Sequence, residues 1–401
     1  MKRRVIAFSA ITLLSMAIYA FDYGVDSFNN STFVSEGLTL TQQDRSTLWI
    51  AIPLAPDSSF YLSGFYEFKG TFASSGTTVT PWRFDAGRSE YLGSRLGALG
   101  PSTVLRWSIG RTFLTDFSGK LLSGLYDGAR GEIAIGNTTL AASVAYTGLL
   151  DKDDALIAIS ANDQIVSAAP GRYFAPRHLF ASLTGRLVEV FPGHDLGFET
   201  WGQFDLEQFL SGTQTVYAEP FIEGHLGRNF TWRTWANGEL IITGDLKPAL
   251  AAGGLARFVF PNLRNIVITG DVAWSSGQSG GLLPFIPLMN SPIDGLTTFT
   301  FSNILVSTLS FSVTPFDWLT STFRGSTLLR TSDLIVGSSN VRALPSGSLL
   351  GFEASVQAVF RTIADLNMNV LGGAFFPETT HYYQSNASAR ATVTIFAEIL
   401  L

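Results

Sequence analysis

Long runs of alternating apolar and polar residues set the tightest limit on what this chain can fold into. Segments 196–207, 230–242, 349–361 and 389–399 each place apolar side chains on one face of an extended backbone and polar side chains on the other. Such runs of 10 to 14 residues exceed the roughly five or six residues of an average globular strand. They match the roughly 9 to 11 residues that a tilted strand needs to cross a membrane. The alternation therefore predicts membrane-spanning β-strands.

Composition argues against several other classes of protein. Only 14% of the 401 residues are charged, whereas an average soluble domain has roughly 25%, and this disfavours an ordinary cytosolic enzyme. The formal net charge is −6 and no basic cluster follows residue 4, so we expect no nucleic-acid partner. Cysteine is absent, which excludes disulfides and thiolate metal sites. The aromatic content of 13% excludes disorder as the main state.

A bundle of membrane-spanning helices is also disfavoured, because it requires several stretches of about 20 mostly apolar residues. The longest uncharged candidate runs from 295 to 316, but nine of its 22 residues are Ser or Thr. Hydroxyl and apolar residues alternate through it, and this pattern favours one or two strands.

The first 20 residues have the pattern of a secretory signal peptide. Three basic residues at positions 2–4 precede an uncharged apolar run that closes on Ala-Ile-Tyr-Ala. The alternative is a membrane anchor, but the 17 uncharged residues between Arg4 and Asp22 are at the short limit for a spanning helix. We therefore expect cleavage after Ala20, which leaves residues 21–401 as a single domain.

Turn chemistry predicts how the strands are connected. Eight short links rich in Gly, Pro, Asn and Asp alternate with longer polar segments. With a first strand around 21–29 and a last strand at 388–401, these links give 16 to 18 strands, and 18 is the best count. The longer polar segments are 30–45, 71–77, 113–130, 150–176, 208–213, 244–247, 276–295, 331–346 and 378–387.

An even number of long strands with alternating short and long connections resembles the bacterial outer-membrane β-barrel porins, including alginate-export-like channels. The resemblance covers about 21–401. It implies an all-β fold, a closed antiparallel transmembrane barrel with short periplasmic turns and longer extracellular loops, in the outer membrane of a diderm bacterium with a Gram-negative-type envelope. It also implies contact with outer-membrane lipid and the barrel-assembly machinery, and a monomer or homotrimer.

One early segment resembles the porin loop that folds into the lumen and narrows it. This segment, 113–130, carries Asp-Phe-Ser-Gly and Tyr-Asp-Gly, although both sequences also suit ordinary surface turns. The resemblance implies that Asp116, Lys120, Asp127 and Arg130 lie at the constriction.

Closure of the barrel turns apolar side chains to lipid and charged side chains to a water-filled lumen. We expect these residues to line the pore: Arg186, Arg233, Arg257, Arg324, Arg361, Arg390, Glu199, Asp205, Glu219, Glu223, Glu239, Asp271 and Glu353. The predicted function is passage of small hydrophilic solutes. Two alternatives are a selective transporter of hydrophobic or oligosaccharide ligands and a soluble exported all-β binding protein.

Catalytic and metal-binding patterns are absent from the sequence. It contains four His but no HExxH, GxSxG, phosphate-binding or dinucleotide-binding motif. His381 and Ser385 lack an identifiable third group to orient them. The acidic segment 151–154 lacks the spaced ligands of a calcium loop. We therefore expect no enzyme activity, no cofactor and no metal.

Overall fold

A computed structural model describes residues 21–157, 159–169, 171–208, 212–243, 245–289, 293, 296–297, 299–336, 341–342, 345–363 and 365–400. The predicted signal peptide lies outside these residues and stays a prediction. Within the described ranges, no helix has both the length and the apolar character needed to cross a membrane.

The described chain forms 18 antiparallel strands in a single sheet. Their bounds are β1 Asp22–Val34, β2 Thr39–Ala55, β3 Ser58–Ala73, β4 Gly76–Leu96, β5 Thr103–Thr115, β6 Ser123–Ile135, β7 Thr138–Tyr146, β8 His178–Phe191, β9 His194–Asp205, β10 Gln214–Leu226, β11 Phe230–Thr243, β12 Asp245–Phe260, β13 Ile266–Ser275, β14 Ile304–Phe316, β15 Leu319–Arg330, β16 Leu349–Ile363, β17 Leu366–Pro377 and β18 Arg390–Leu400.

The sheet closes into a barrel because its first strand pairs with its last. β1 lies beside β2 on one edge and beside β18 on the other. At this seam Thr32 faces Thr394, and their hydroxyl oxygens are 3.1 Å apart. Each of β2 to β17 pairs with its two neighbours in sequence. The predicted closed all-β barrel of 18 strands is confirmed.

Eight short connections lie at one end of the barrel, here called the turn end, and nine connections lie at the other, the loop end. Most of the predicted long loops are present at the loop end, but four are shorter than expected. The predicted loop 244–247 is one of them, because β12 already begins at Asp245. The predicted loop 30–45 shrinks to 35–38, because β1 continues to Val34 and β2 begins at Thr39. Residues 71–77 form a two-residue turn at 74–75, and the predicted segment 113–130 contains a loop of only 116–122.

Two short helices, α1 Lys152–Ala155 and α2 Ala161–Ala168, lie in the long loop between β7 and β8. Ser160 caps α2, since its side chain accepts from the N–H of Asp163 while the Asp163 carboxylate accepts from the N–H of Ser160. The Asp163 carboxylate also lies 3.0 Å from the ring of His178, at the start of β8. Burial alone would raise the pKa of Asp163, but the hydrogen bond with His178 holds it below its usual range. This contact fixes α2 to the barrel rim.

Alternation along each strand separates an outer face from a lumen face. On β9, Phe198 is 47% exposed on the outer face, whereas the adjacent Glu199 is 5% exposed on the lumen face. The same alternation holds on β18, where Val393 and Ile395 are exposed outward. Residues paired across neighbouring strands lie on the same face of the sheet. The pairings around the closed barrel therefore extend the assignment of outer and lumen faces from β9 and β18 to the other strands.

Candidate functional site: the lumen and its inserted loops

The loop between β5 and β6, residues 116–122, folds inward and attaches to a distant part of the wall. Its Phe117 N–H donates to Glu199 Oε2 at 2.9 Å, and its Ser118 N–H donates to Glu219 Oε1 at 3.1 Å. The Phe117 ring also stacks on Phe221 with centroids 3.7 Å apart. Because β9 and β10 are several strands away from β5 and β6 around the barrel, the loop must lie within the lumen.

Asp116 gives this loop its shape. Its Oδ1 accepts hydrogen bonds from the N–H groups of Leu121 and Leu122 at 3.2 and 2.7 Å. Its Oδ2 accepts from the hydroxyl of Ser118. Burial raises the pKa of Asp116. One side chain thereby joins both ends of the loop, which keeps its tip compact.

A second inserted segment comes from the long connection between β13 and β14. The Ile286 N–H donates to Glu239 Oε2 at 2.9 Å, and the Ile286 carbonyl accepts from the hydroxyl of Tyr217 at 2.7 Å. Further along, the sulfur of Met289 lies 3.7 Å from the Tyr126 hydroxyl on β6. This segment reaches from β13 back to β6, so it also crosses the lumen.

Three glutamates on adjacent strands therefore hold both insertions. Glu199, Glu219 and Glu239 lie on β9, β10 and β11, and each is at most 5% exposed. Asn237 supplies a further hydrogen bond to Glu219 at 2.9 Å. A carboxylate is a strong acceptor for backbone N–H groups, and backbone N–H groups in a buried loop require partners. We call these three residues the glutamate clamp.

The predicted lumen-facing arginines have a different environment from the clamp. Arg257 and Arg324 are exposed on the lumen face of β12 and β15. Neither forms an ion pair with a carboxylate in the described part of the chain. Arg233 lies beside the inserted loop, with its guanidinium 5.8 Å from the Phe117 ring centre. Arg361 is exposed near the turn end of β16. Arginines are thus the exposed charged side chains among the predicted pore-lining residues of β12 to β16.

Several other predicted pore-lining residues are paired within the wall. Arg186 donates to Asp195 at 2.5 Å and also to Glu223. Arg390 lies 4.0 Å from Glu36 at the loop end. These arginines contribute less free positive charge to the lumen than Arg257 or Arg324, because a carboxylate neutralises each of them.

Three predicted acidic residues have distinct positions. Asp205, at 1% exposure, accepts from the N–H groups of Glu207 and Gln208 at 2.8 and 2.9 Å, and so orders the end of β9. Glu353 is buried on the lumen face of β16, and Asp271 is half-buried on β13.

The four residues predicted at the constriction are not brought together. Asp116 and Lys120 lie in the inserted loop, whereas Asp127 and Arg130 lie in β6. Arg130 faces the lumen and is 3.3 Å from Glu132. Asp127 is on the opposite face from Tyr126 and pairs with Arg111 at 2.9 Å. The strand continues through these positions because the loop ends at 122.

A charge cluster at the loop end was missing from the predicted site. Glu67, at 3% exposure, lies 2.5 Å from Arg45 and 2.6 Å from Arg83. Arg83 also lies 2.7 Å from Asp151, which belongs to the loop carrying α1. Alternation along β2, β3 and β4 places these residues on one face, but only the fold shows that a third loop joins them.

The described residues contain no cluster of three or more His, Asp or Glu arranged to hold a metal ion.

The backbone is similar to solved structures of outer-membrane porins from Pseudomonas aeruginosa. OpdQ has a TM-score of 0.60 at 9% identity, with 95% of this chain and 98% of that chain covered. OpdL has a TM-score of 0.59 at 11% identity, covering 96% and 99%. This chain has the fold of these porins. The resemblance predicted from strand pattern is confirmed at the level of fold.

A third porin-fold structure, OccK2 (OpdF) in complex with glucuronate, has a TM-score of 0.57 at 12% identity and covers 95% and 98% of the two chains. No protein-family model matches the sequence, and no curated protein matches it either. The porins that share the fold are not enzymes.

Proposed function

We propose that this protein is an outer-membrane channel through which small hydrophilic solutes diffuse, with a preference for anions. The closed 18-stranded barrel supports the channel. The exposed, unpaired guanidinium groups of Arg257 and Arg324 support the preference. An 18-stranded barrel is wide enough to contain water, so these arginines stay ionised and act directly on a passing solute.

The burial of the acidic residues strengthens this proposal. The protein has a formal net charge of −6, which by itself would favour cations. The three carboxylates of the glutamate clamp, however, are buried under loop backbone. The electric field that a solute experiences in a narrow pore depends most on nearby, accessible charges, because water and salt screen distant groups. Accessible arginine thus outweighs the net charge of the whole chain.

Sugar acids are the proposed solute class. A guanidinium group can donate two parallel hydrogen bonds to a carboxylate, which gives both attraction and orientation. The porin OccK2 (OpdF), at 12% identity, has been solved in complex with glucuronate. The inserted loop 116–122, with Asp116 and Lys120, forms part of the proposed constriction, and Arg130 lies on the wall beneath it.

The two alternatives have less support. A soluble all-β protein does not explain an outer wall on which Phe198 and Leu183 are exposed, and no comparison favours it. A transporter of hydrophobic ligands requires a continuous apolar inner path, whereas Arg257 and Arg324 interrupt the lumen face. The proposal includes two partners: outer-membrane lipid, which the outer wall would contact, and the barrel-assembly machinery.

Liposome swelling tests the solute preference. We expect glucuronate to enter proteoliposomes faster than glucose, which has nearly the same size but no charge. The double variant Arg257→Gln with Arg324→Gln should lose most of this difference. Arg228→Gln, in the exposed turn between β10 and β11, is the matched control and should behave as the wild type. Equal glucuronate and glucose rates in the wild type would contradict the proposal.

A further inference from the structure

Hydroxyl side chains cover much of the lumen face of β14 and β15. The uncharged segment 295–316, in which nine of 22 residues are Ser or Thr, contains β14. Alternate residues of both strands point inward, because the strand pairings carry the lumen face from β11 through β12 and β13 to β15. The inward hydroxyls include those of Thr308, Ser310, Ser312, Thr322 and Ser326.

Some of these hydroxyls pair across the two strands. The Thr308 and Ser326 oxygens are 3.0 Å apart, and Thr322 donates to Ser312 at 3.0 Å. The first pair is buried, but Ser312 and Thr322 are partly exposed. Each hydroxyl has one donor and two acceptor positions, so such a pair keeps hydrogen-bonding capacity for water or a solute.

One transverse row of the lumen wall places two hydroxyls between two arginines. Arg257 on β12 is in register with Thr269 on β13. Thr269 faces Ser310 on β14, and Ser310 faces Arg324 on β15. We call these four residues the arginine–hydroxyl row. Within the described part of the chain, the side chains of Thr269 and Ser310 form no hydrogen bond.

The arginine–hydroxyl row is accessible from the lumen. Both arginines are exposed, and Thr269 and Ser310 are partly exposed. Asp271 lies in the next row toward the loop end, is half-buried, and forms no ion pair with any described residue. The two guanidinium groups and the two hydroxyls between them are therefore available together to one solute.

The spacing of the row fits a ligand with a charged group at each end. Neighbouring strands are about 4.8 Å apart, so three strand steps separate the backbones of Arg257 and Arg324 by roughly 14 Å. The wall is concave on its lumen side, and inward side chains are therefore closer together at their tips than at their backbones. Two long arginine side chains can thus reach both ends of one small molecule that lies across Thr269 and Ser310.

We propose that the arginine–hydroxyl row binds polyhydroxylated dicarboxylates, of which a six-carbon sugar diacid is the simplest example. Each guanidinium group donates paired hydrogen bonds to one carboxylate. The hydroxyls of Thr269 and Ser310 exchange hydrogen bonds with the hydroxyls of the ligand. This inference rests on the proposed anion channel and narrows its solute class from sugar acids in general to those with two carboxylates.

Simpler ligands match only part of the row. A sugar acid with one carboxylate leaves one arginine without a partner. A plain dicarboxylate covers the two wall hydroxyls with methylene groups, which offer no hydrogen bonds. One net hydrogen bond changes a binding constant roughly two- to tenfold. The sugar diacid should therefore bind more tightly than either simpler ligand.

Three six-carbon anions separate these contributions. Glucarate has two carboxylates and four hydroxyls, adipate has the two carboxylates alone, and gluconate has one carboxylate and five hydroxyls. Each anion is added to purified channels that conduct chloride in a planar bilayer, and its half-blocking concentration is measured. We expect the value for glucarate to be at least about threefold below the values for adipate and gluconate.

The ion preference of the same channels separates this inference from the proposed function. If channels that prefer chloride are blocked no better by glucarate than by adipate or gluconate, the row does not bind sugar diacids, although the anion channel stands. Channels that prefer potassium would contradict the proposed function itself.

Two variants and a control assign the block to the row. Thr269→Val combined with Ser310→Ala should raise the half-blocking concentration of glucarate to that of adipate. Arg324→Gln should raise it to that of gluconate. The control, Ser307→Ala combined with Thr327→Val, removes two facing hydroxyls from the outer face of the same strands and should keep the wild-type order. Heat-modifiable migration first establishes that each barrel is folded.

Saturation-transfer NMR on the purified barrels in detergent measures binding of the same three anions without conduction. The wild type and the control should bind glucarate most tightly, whereas the hydroxyl variant should bind glucarate and adipate alike. A wild type that binds adipate as tightly as glucarate, or a folded hydroxyl variant that still prefers glucarate, would refute the role given to Thr269 and Ser310.

Discussion

The backbone N–H of Phe117 donates a 2.9 Å hydrogen bond to Oε2 of Glu199, which joins the tip of an inserted loop to the barrel wall. Glu199 is 5% exposed, so water cannot readily replace this acceptor. The neighbouring contact between Ser118 and Glu219 repeats the arrangement one strand further. Buried carboxylates in this lumen therefore position loops, while accessible arginines are available to solutes.

Glu199→Ala should loosen the inserted loop. Removing the acceptor leaves the Phe117 N–H without a partner, at a cost of about 1–3 kcal/mol. We expect a larger and noisier single-channel conductance, together with faster proteolysis within 116–122. Glu199→Gln keeps an acceptor oxygen and should remain close to the wild type in both measurements. If the Ala and Gln variants conduct alike, the hydrogen bond does not hold the loop.

Gly128→Ala should destabilise the barrel wall. A Cβ atom at Gly128 would overlap the backbone carbonyl of Val144 on β7, and neither strand can move without disturbing the sheet. Forcing extra atoms into a packed site typically costs about 1–3 kcal/mol. Gly131, on the same strand, has no neighbour within 4 Å of such an atom. We therefore expect a lower urea midpoint for Gly128→Ala than for Gly131→Ala, and equal midpoints would show that the overlap is relieved.

Acidification should release one contact in the loop between β17 and β18. Burial would raise the pKa of Glu378, but hydrogen bonds from the N–H groups of His381, Thr380 and Tyr382 lower it from 4.5 to about 2. A lowered carboxyl pKa means that the ionised form stabilises the fold. This stabilisation is complete above the ordinary value of 4.5 and is lost as the pH falls through about 2.

Carboxyl ¹³C chemical shifts measure this directly. Glu378 should titrate near pH 2, and Glu378→Gln identifies its resonance by removing it. A midpoint near 4.5 would mean that the three N–H groups do not hold the carboxylate.

Strand alternation was sufficient to predict the barrel and the face of many side chains. Phe198 and Glu199 alternate in sequence and lie on opposite faces in the fold, since a strand with period two has little other choice. The polar segment 30–45 misled the prediction because Asn, Ser, Gln and Asp are typical of loops. In the fold these residues pair across β1 and β2 on both faces of the wall.

The arrangement inside the lumen could not be predicted in the same way. The clamp depends on contacts between Phe117 and Glu199 and between Ile286 and Glu239. These partners are far apart in sequence and belong to different strands and loops, so local pattern carries no information about them. The sequence therefore identifies lumen-facing charges without separating buried loop anchors from accessible arginines.

The reversal potential of single channels tests the central claim most directly. Purified protein in a planar bilayer, under a potassium chloride gradient, should form open channels whose reversal potential has the sign for chloride preference. Arg257→Glu combined with Arg324→Glu should shift it toward potassium, while Arg228→Glu should leave it unchanged. A folded wild-type barrel that conducts no ions, or one that prefers potassium, would contradict an anion-preferring channel.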